Sequence, residues 1–218
     1  MKKICLYLKR FFFLISKIKE NLLVLFINPF YSIKVNSYIP NPKNINFPVK
    51  IGYKTKLNLF TKIEKYVSLN DECIIMNNVE KIGSYSSISD RCYIGIENHP
   101  MHFLSTHSGF YTNSWGFDFH NAEIDLKNKK TVIEEDVWIG YNTKVLAGCV
   151  IGRGSIIAAD SFVKTNIDPY TIWSGNPAKK VSSRFSKEQI LFLEKSEWWK
   201  KDLEEAKIIY DKFEKKIF

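Results

Sequence analysis

An aliphatic residue recurs every six positions from Ile133 to Val163: Ile133, Ile139, Val145, Ile151, Ile157 and Val163. Four positions after each of the first five stands a small or β-branched residue: Val137, Thr143, Cys149, Ser155 and Ser161. Neither the helical period of 3.6 nor the strand period of 2 keeps that register. Glycines at 140, 148, 152 and 154 also argue against a helix, where each would cost about 1 kcal/mol relative to alanine. The repeat predicts a mainly β fold, a left-handed parallel β-helix whose coils are triangles with about six residues per side. Each lead residue points inward and stacks on its equivalent in the next coil, because one coil cannot bury its own apolar face. Glycine or asparagine is expected at corners that need a positive φ.

The same period opens earlier, through Ile51, Leu57, Ile63 and Leu69. It slips once before Ile82 and resumes through Ile88 and Ile94. Residues 96–132 have no such period and are predicted to form a loop inserted into the coil. All four histidines lie there, His99, His102, His107 and His120, with Trp115 and several phenylalanines and tyrosines. Loops on one face of a repeat fold tend to carry function, so chemistry is expected in this insertion. His102 and His120 read as surface or packing residues.

The ends of the chain follow other patterns. Residues 1–31 are basic and very apolar, but lysines and Arg10 interrupt every apolar run before it reaches the roughly 18 residues of a membrane span. No small-residue cleavage site follows, which argues against a signal peptide. This N-terminal apolar helical segment either packs on the coil or a neighbouring subunit, or lies in an anionic membrane surface. Pro29, Pro40, Pro42 and Pro48 mark an extended linker. Beyond the coil, Pro177 ends a tight turn and Ser186 reads as a helix N-cap. C-terminal α-helices are predicted over 187–217, with Leu191, Trp198, Trp199, Leu203 and Phe213 as candidates for their buried face. The chain thus divides into an N-terminal segment and linker (1–45), the β-helix (46–180) and a C-terminal helical segment (181–218).

Composition narrows the function. A net charge of +9 is compatible with nucleic acid, an anionic membrane or a phosphorylated ligand. No nucleic-acid-binding motif appears, so no nucleic acid partner is expected. Cys5, Cys73, Cys92 and Cys149 form no CxxC pair and read as small packing residues in a reducing compartment. The histidines show no recognisable ligand spacing, so no metal is expected.

The residues KIGSYSSIS at 81–89, NHP at 98–100, STH at 105–107, DVWIG at 136–140, SGNPAKKV at 174–181, RFS at 184–186 and EWW at 197–199 follow one another in a familiar order. Over about residues 51–200 the chain resembles the hexapeptide-repeat acyltransferases, in their xenobiotic and chloramphenicol acetyltransferase branch. That resemblance implies acetyl transfer from acetyl-CoA as co-substrate to a hydroxyl or amine. It implies that His99, in the Asn-His of NHP, is the catalytic base; a neutral imidazole suits that task. His107 is the second candidate, as a base, a pocket residue or a partner of the backbone. Asn98, His107, Tyr111 and Trp115 are expected to bind the acceptor. Residues matching the family's cofactor groove are Trp138, Gly140, Ala159, Lys164, Thr165 and Lys179. Many relatives read Thr-Lys where this chain has Lys164-Thr165. Lys179, Lys180 and Arg184 are candidates for the phosphates of the cofactor. Relatives assemble as homotrimers, so a groove shared between neighbouring subunits is expected.

The acceptor stays open at this point. The basic, apolar N-terminus and the aromatic insertion suggest O-acetylation of a sugar hydroxyl on a bacterial surface polysaccharide or its precursor. The enzyme would then be cytoplasmic, either free or peripheral at the inner face of the membrane through its N-terminus. The alternatives are a drug acetyltransferase acting on chloramphenicol- or streptogramin-like hydroxyls, N-acetylation of an amino sugar, and a trimeric scaffold without activity.

Overall fold

The computed structural model describes residue 33, residues 37–111, residue 115 and residues 129–215. The expected N-terminal helix, Cys5 and His120 lie outside the described residues. The chain winds as a left-handed parallel β-helix of very short strands arranged in three sheets. In the first sheet Ile51, Leu69, Ile88, Ile139 and Ile157 stand in register. The second stacks Ile75, Ile94, Val145 and Val163, and the third Ile63, Ile82, Ile133 and Ile151. Successive lead residues therefore step round the three sheets, and every one of them is buried. Each fully buried aliphatic contributes about 1.5–3 kcal/mol. The core is a single column running the length of the prism.

Two of the sequence-based expectations need correction here. Pairing begins before the predicted linker ends, because Ile33, Tyr38 and Ile45 bridge to Ile51, Lys56 and Ile63. The proline-rich stretch is thus largely an incomplete first coil. The corners are also built differently from the expectation. Residues three places after a lead take left-handed conformations, and most are not glycine: Lys54, Glu72, Arg91, Asn142 and Asp160 at one corner, Tyr66, Tyr85, Asp136 and Tyr170 at the next. A left-handed residue costs about 1–2 kcal/mol, but here it turns its N–H onto the preceding coil. Glu72 donates to Tyr53 O at 2.8 Å, Asp136 to Ser84 O at 2.9 Å and Asp160 to Tyr141 O at 2.8 Å. Gly83, Gly140 and Gly152 follow lead residues and serve another need. A Cβ on any of them would stand 2.5–2.6 Å from the backbone of the adjacent coil, so they set the spacing between coils.

The last strand of the coil, Thr171–Ser174, turns back through Gly175–Ala178 into an antiparallel strand, Lys179–Ser183. The sheet structure thus runs to Ser183, past the boundary at 180 expected from the sequence. Two helices follow, α1 (Lys187–Ser196) and α2 (Leu203–Glu214). Ser186 caps α1, in a reciprocal box with Gln189. The buried side chains are Leu193, Trp199 and Ala206, whereas Leu191 and Leu203, expected in the core, are exposed.

The left-handed corner column anchors this C-terminal segment. Tyr66 and Tyr85 stack at 4.7 Å, and Tyr85 meets Trp198 at 4.9 Å. Tyr85 Oη donates to Lys201 O at 2.7 Å, and Tyr170 Oη to Glu194 Oε1 at 2.6 Å. Arg153 lies 3.9 Å above the Trp199 ring while its guanidinium binds Glu135 and both carboxylate oxygens of Glu194. Burial raises the Glu135 carboxyl, but hydrogen bonds from Lys81 and Arg153 outweigh it and hold Glu135 below its ordinary value. Cys73, Cys92 and Cys149 are free and buried at small-residue positions, as the sequence predicts. Burial pushes the Cys149 thiol up to about 11, which keeps it protonated and unreactive. Among the described residues no helix is long and apolar enough to cross a membrane.

Candidate active site

The inserted segment leaves the second sheet after Tyr93–Ile96 and rejoins the third at Thr131–Ile133. Both of its roots fasten on one side chain. Ile75 keeps the six-residue phase and Ile82 comes seven places later, so the slip in the repeat is one extra residue with a bulge at Val79/Lys81. Buried Asn78 fills that irregularity. Its Nδ2 donates to Gly95 O at 2.8 Å and to Glu97 Oε1 at 3.2 Å. Its carbonyl oxygens accept from Thr131, the side-chain oxygen from Thr131 Oγ1 at 3.4 Å and the backbone oxygen from Thr131 N at 3.0 Å. Thr131 Oγ1 in turn accepts from Gly148 N at 3.0 Å. Leaving such buried groups unpaired costs about 1–3 kcal/mol each, so the arm starts from a fixed base. Gly95 has φ +87°, and a Cβ there would fall 2.1 Å from Asn78 Oδ1. Asn78 belongs to no motif of its own; the slip in the repeat is the sequence signal that marks it.

Two histidines on the arm are held in opposite ways. His99 Nδ1 lies 2.7 Å from the carbonyl oxygen of Thr106 and 2.7 Å from Tyr111 Oη. A backbone carbonyl only accepts, so the proton belongs on Nδ1, and the lone pair is left on Nε2. The imidazole is exposed, and Tyr111 meets it edge-on at 5.9 Å. His107 caps the 3-10 turn Ser108–Phe110, and its Nδ1 accepts from Gly109 N at 3.1 Å. The proton of a neutral His107 therefore sits on Nε2, which makes that ring a donor. The backbone role foreseen for His107 is present.

The other expected acceptor residues lie on the same arm. Trp115 lies tilted against His107 at 5.3 Å and donates from Nε1 to Ser108 Oγ at 3.1 Å. Phe103 lies 6.5 Å from Tyr111. Asn98 is exposed beside His99. His102 meets Phe103 edge-on at 4.8 Å, a surface contact as predicted. Among the described residues no three His, Cys, Asp or Glu side chains gather as a metal site.

Of the residues expected to line a cofactor groove, Trp138, Gly140, Ala159 and Lys179 fall on the first sheet and its following corner, whereas Lys164 and Thr165 follow the second sheet, on the same corner as the root of the arm. Trp138 is half-exposed on the first sheet. Gly140 follows it and lies directly against the backbone of exposed Ala159 in the next coil. Lys179 is exposed in the return strand opposite Ser174. Lys164 and Thr165 are exposed at the corner after Phe162–Val163. Lys180 is exposed and pairs with Asp168 at 3.4 Å. Arg184, expected to meet a phosphate, is committed elsewhere: its Nη1 donates to Asp136 Oδ2 and to Gly154 O, both at 2.9 Å. Burial pushes the Asp136 carboxyl above its ordinary value although Arg184 opposes it. That guanidinium balances a desolvated carboxylate and ties the return strand to the coil.

Comparison with known sequences adds to this geometry. The sequence pattern "Bacterial transferase hexapeptide (six repeats)" matches residues 130–165. The chain is 52% identical over 137 residues to a probable macrolide acetyltransferase of Lysinibacillus sphaericus, covering 61% of this chain and 74% of that protein. It is 36% identical over 129 residues to a chloramphenicol acetyltransferase of Escherichia coli, covering 58% of this chain and 61% of that one. Among solved structures it is similar to an N-acyltransferase from Bacillus cereus in complex with dTDP and coenzyme A, with 20% identity, a TM-score of 0.44, and coverage of 74% of this chain and 83% of that chain.

Proposed function

The chain belongs to the hexapeptide-repeat acetyltransferases of the chloramphenicol and macrolide acetyltransferase branch, and from that premise we propose that it moves an acetyl group from acetyl-CoA to an acceptor hydroxyl, with His99 as general base. The observation that carries this reading is the contact between His99 Nδ1 and the Thr106 carbonyl. It leaves the Nε2 lone pair for the acceptor's proton, which a base must be able to reach directly. As the alcohol oxygen attacks the thioester carbonyl, Nε2 takes its proton. When the tetrahedral intermediate collapses, the same proton passes to the departing thiolate of CoA. In between, the ring is an imidazolium whose Nδ1–H faces two oxygen acceptors, Thr106 O and Tyr111 Oη. Both contacts strengthen as the charge develops.

The cofactor residues support a shared groove. Trp138, Gly140, Ala159 and Lys179 sit around the first sheet and its following corner, whereas His99 projects from the corner after the second sheet. In a trimer of prisms the arm of one subunit would reach the groove of the next, so a homotrimer is part of the reading. Of the three candidates for the cofactor phosphates, Lys179 remains, because Arg184 is engaged by Asp136 and Lys180 by Asp168.

For the acceptor we favour a sugar hydroxyl of a bacterial surface polysaccharide or its precursor. The exposed rings of Phe110 and Trp115 beside His107 suit the apolar face of a pyranose. The second reading, a macrolide or phenicol hydroxyl, is favoured by the 52% identity to a probable macrolide acetyltransferase. Thiol release from acetyl-CoA, followed over a panel of free sugars, amino sugars, macrolides and chloramphenicol, separates these. Sugar-dependent release supports the first reading, and release with drugs alone replaces it by the second. No release with any acceptor, in a protein that does bind acetyl-CoA, contradicts both.

A further inference from the structure

The positive charge of this chain is concentrated in its first third. Of the 32 lysines and arginines, 13 lie in the first 70 residues, against 2 of the 23 aspartates and glutamates. The other 148 residues carry 19 basic and 21 acidic side chains. Among the described residues, 37–70 carry six lysines and one glutamate on the first two coils; Lys65 pairs with Asp202 at 3.0 Å, and five others stand round the coils. Lys43 stands in the turn Pro42–Asn44, Lys50 on the first sheet and Lys54 at the corner that follows. Lys56 bridges towards the second sheet and Lys62 lies on the third. These side chains ring the perimeter of the prism and do not line one flat side. All five are exposed. Glu64 holds Lys62 at 2.7 Å; among the described residues no carboxylate pairs with Lys43, Lys50, Lys54 or Lys56. Farther along, the arginines are matched: Arg91 to Glu72, Arg153 to Glu135 and Arg184 to Asp136.

Large apolar side chains share the same coils. Tyr38, Phe47, Tyr53, Leu59 and Phe60 are all exposed, Phe60 to 67%. The Lys54 ammonium lies 5.1 Å from the centre of the Tyr53 ring. Cations around the rim with aromatic and aliphatic groups between them match a partner that is anionic at its surface and apolar just beneath. A nucleic acid would answer the lysines but would leave Leu59 and Phe60 against phosphate. We propose that this end of the prism docks on an anionic lipid bilayer, with the coil axis standing steeply on the membrane. The arm then springs from the coil two levels up, about 10 Å above the docked rim at the usual spacing between strands. This inference does not depend on the acetyl-transfer reading.

The test is co-sedimentation of the full-length chain with vesicles of phosphatidylcholine alone or with about one-third phosphatidylglycerol. Wild type is expected to bind only the anionic vesicles at ~0.1 M salt and to leave them at ~0.5 M, where charges are screened over a few ångströms. Replacing Lys43, Lys50, Lys54 and Lys56 together by glutamine is expected to weaken binding at least 50-fold, since each lysine near such a surface is worth about fivefold. The melting temperature of the variant, measured alongside, is expected to match wild type. Equal binding by a folded variant would place the contact outside this ring and overturn the proposal. So would an absence of wild-type binding to anionic vesicles, or binding to single-stranded RNA in its place. A variant that does not fold is replaced by the single pair Lys54→Gln and Lys56→Gln, for which at least a tenfold loss is expected and equal binding overturns the proposal.

Discussion

His99→Ala is expected to lower the rate of acetyl-CoA-dependent transfer about 1,000-fold, within the range usual for loss of a positioned base, while acetyl-CoA binding and melting temperature stay near wild type. The ring is exposed, and its own hydrogen bonds involve one carbonyl and one phenol on the same arm, so its removal leaves no buried group unpaired. The remaining activity reflects the juxtaposition of two bound reactants. His107→Ala makes the necessary contrast. Its Nδ1 already accepts from Gly109 N, so its loss is expected to frustrate the turn at Ser108–Phe110 and raise KM for the acceptor. Its effect on kcat should stay below about tenfold, because that ring supplies no free lone pair. Steady-state thiol release measured on both variants tests the pair. A larger fall in kcat for His107→Ala than for His99→Ala would reverse the assignment.

Gly83→Ala is expected to have a large structural effect. An added Cβ would stand 2.6 Å from the carbonyl carbon of Glu134 and from the amide of Glu135. Those are backbone atoms, with no side chain to swing aside. Gly83 N also donates to Ile133 O at 2.9 Å, so the methyl group would pry open the ladder where the coil resumes after the insertion. Overpacking of this kind costs about 1–3 kcal/mol, sometimes more. For a chain of this length that corresponds to a melting temperature lower by roughly 5–10 °C. Thermal unfolding followed by circular dichroism measures it. An unchanged midpoint would show that adjacent coils are not in contact at this glycine.

The regularity of the coil was legible because inward-pointing side chains repeat with the geometry that stacks them. The lead residues from Ile51 to Val163 are the column that the sheets bury. The corners were less legible. Positive φ is usually inferred from glycine, yet Tyr66, Tyr85 and Arg91 adopt it, since hydrogen bonds to the coil below repay the strain. The glycines were conspicuous for a different reason, the close approach of neighbouring coils. Arg184 illustrates how a basic residue in a motif is misread. It follows a run of lysines, and only the fold shows that Asp136, 48 positions earlier, is its partner. Leu191 and Leu203 were placed inside by helical spacing alone, whereas the corner tyrosines and Trp199 decide which face of the C-terminal segment is covered. Within the arm, sequence could name His99 and His107 but could not tell them apart by geometry. Their difference lies in whether a carbonyl or an amide happens to face Nδ1.

That difference is also where the account is most directly exposed. Long-range proton–nitrogen correlation spectra of the imidazole nitrogens, assigned with His99→Gln and His107→Gln at a pH where both rings are neutral, report which nitrogen carries the proton. The account predicts a protonated Nδ1 and a bare Nε2 for His99, and the reverse for His107. A His99 ring protonated on Nε2 would leave the proposed base without a lone pair to offer the acceptor, and would contradict it.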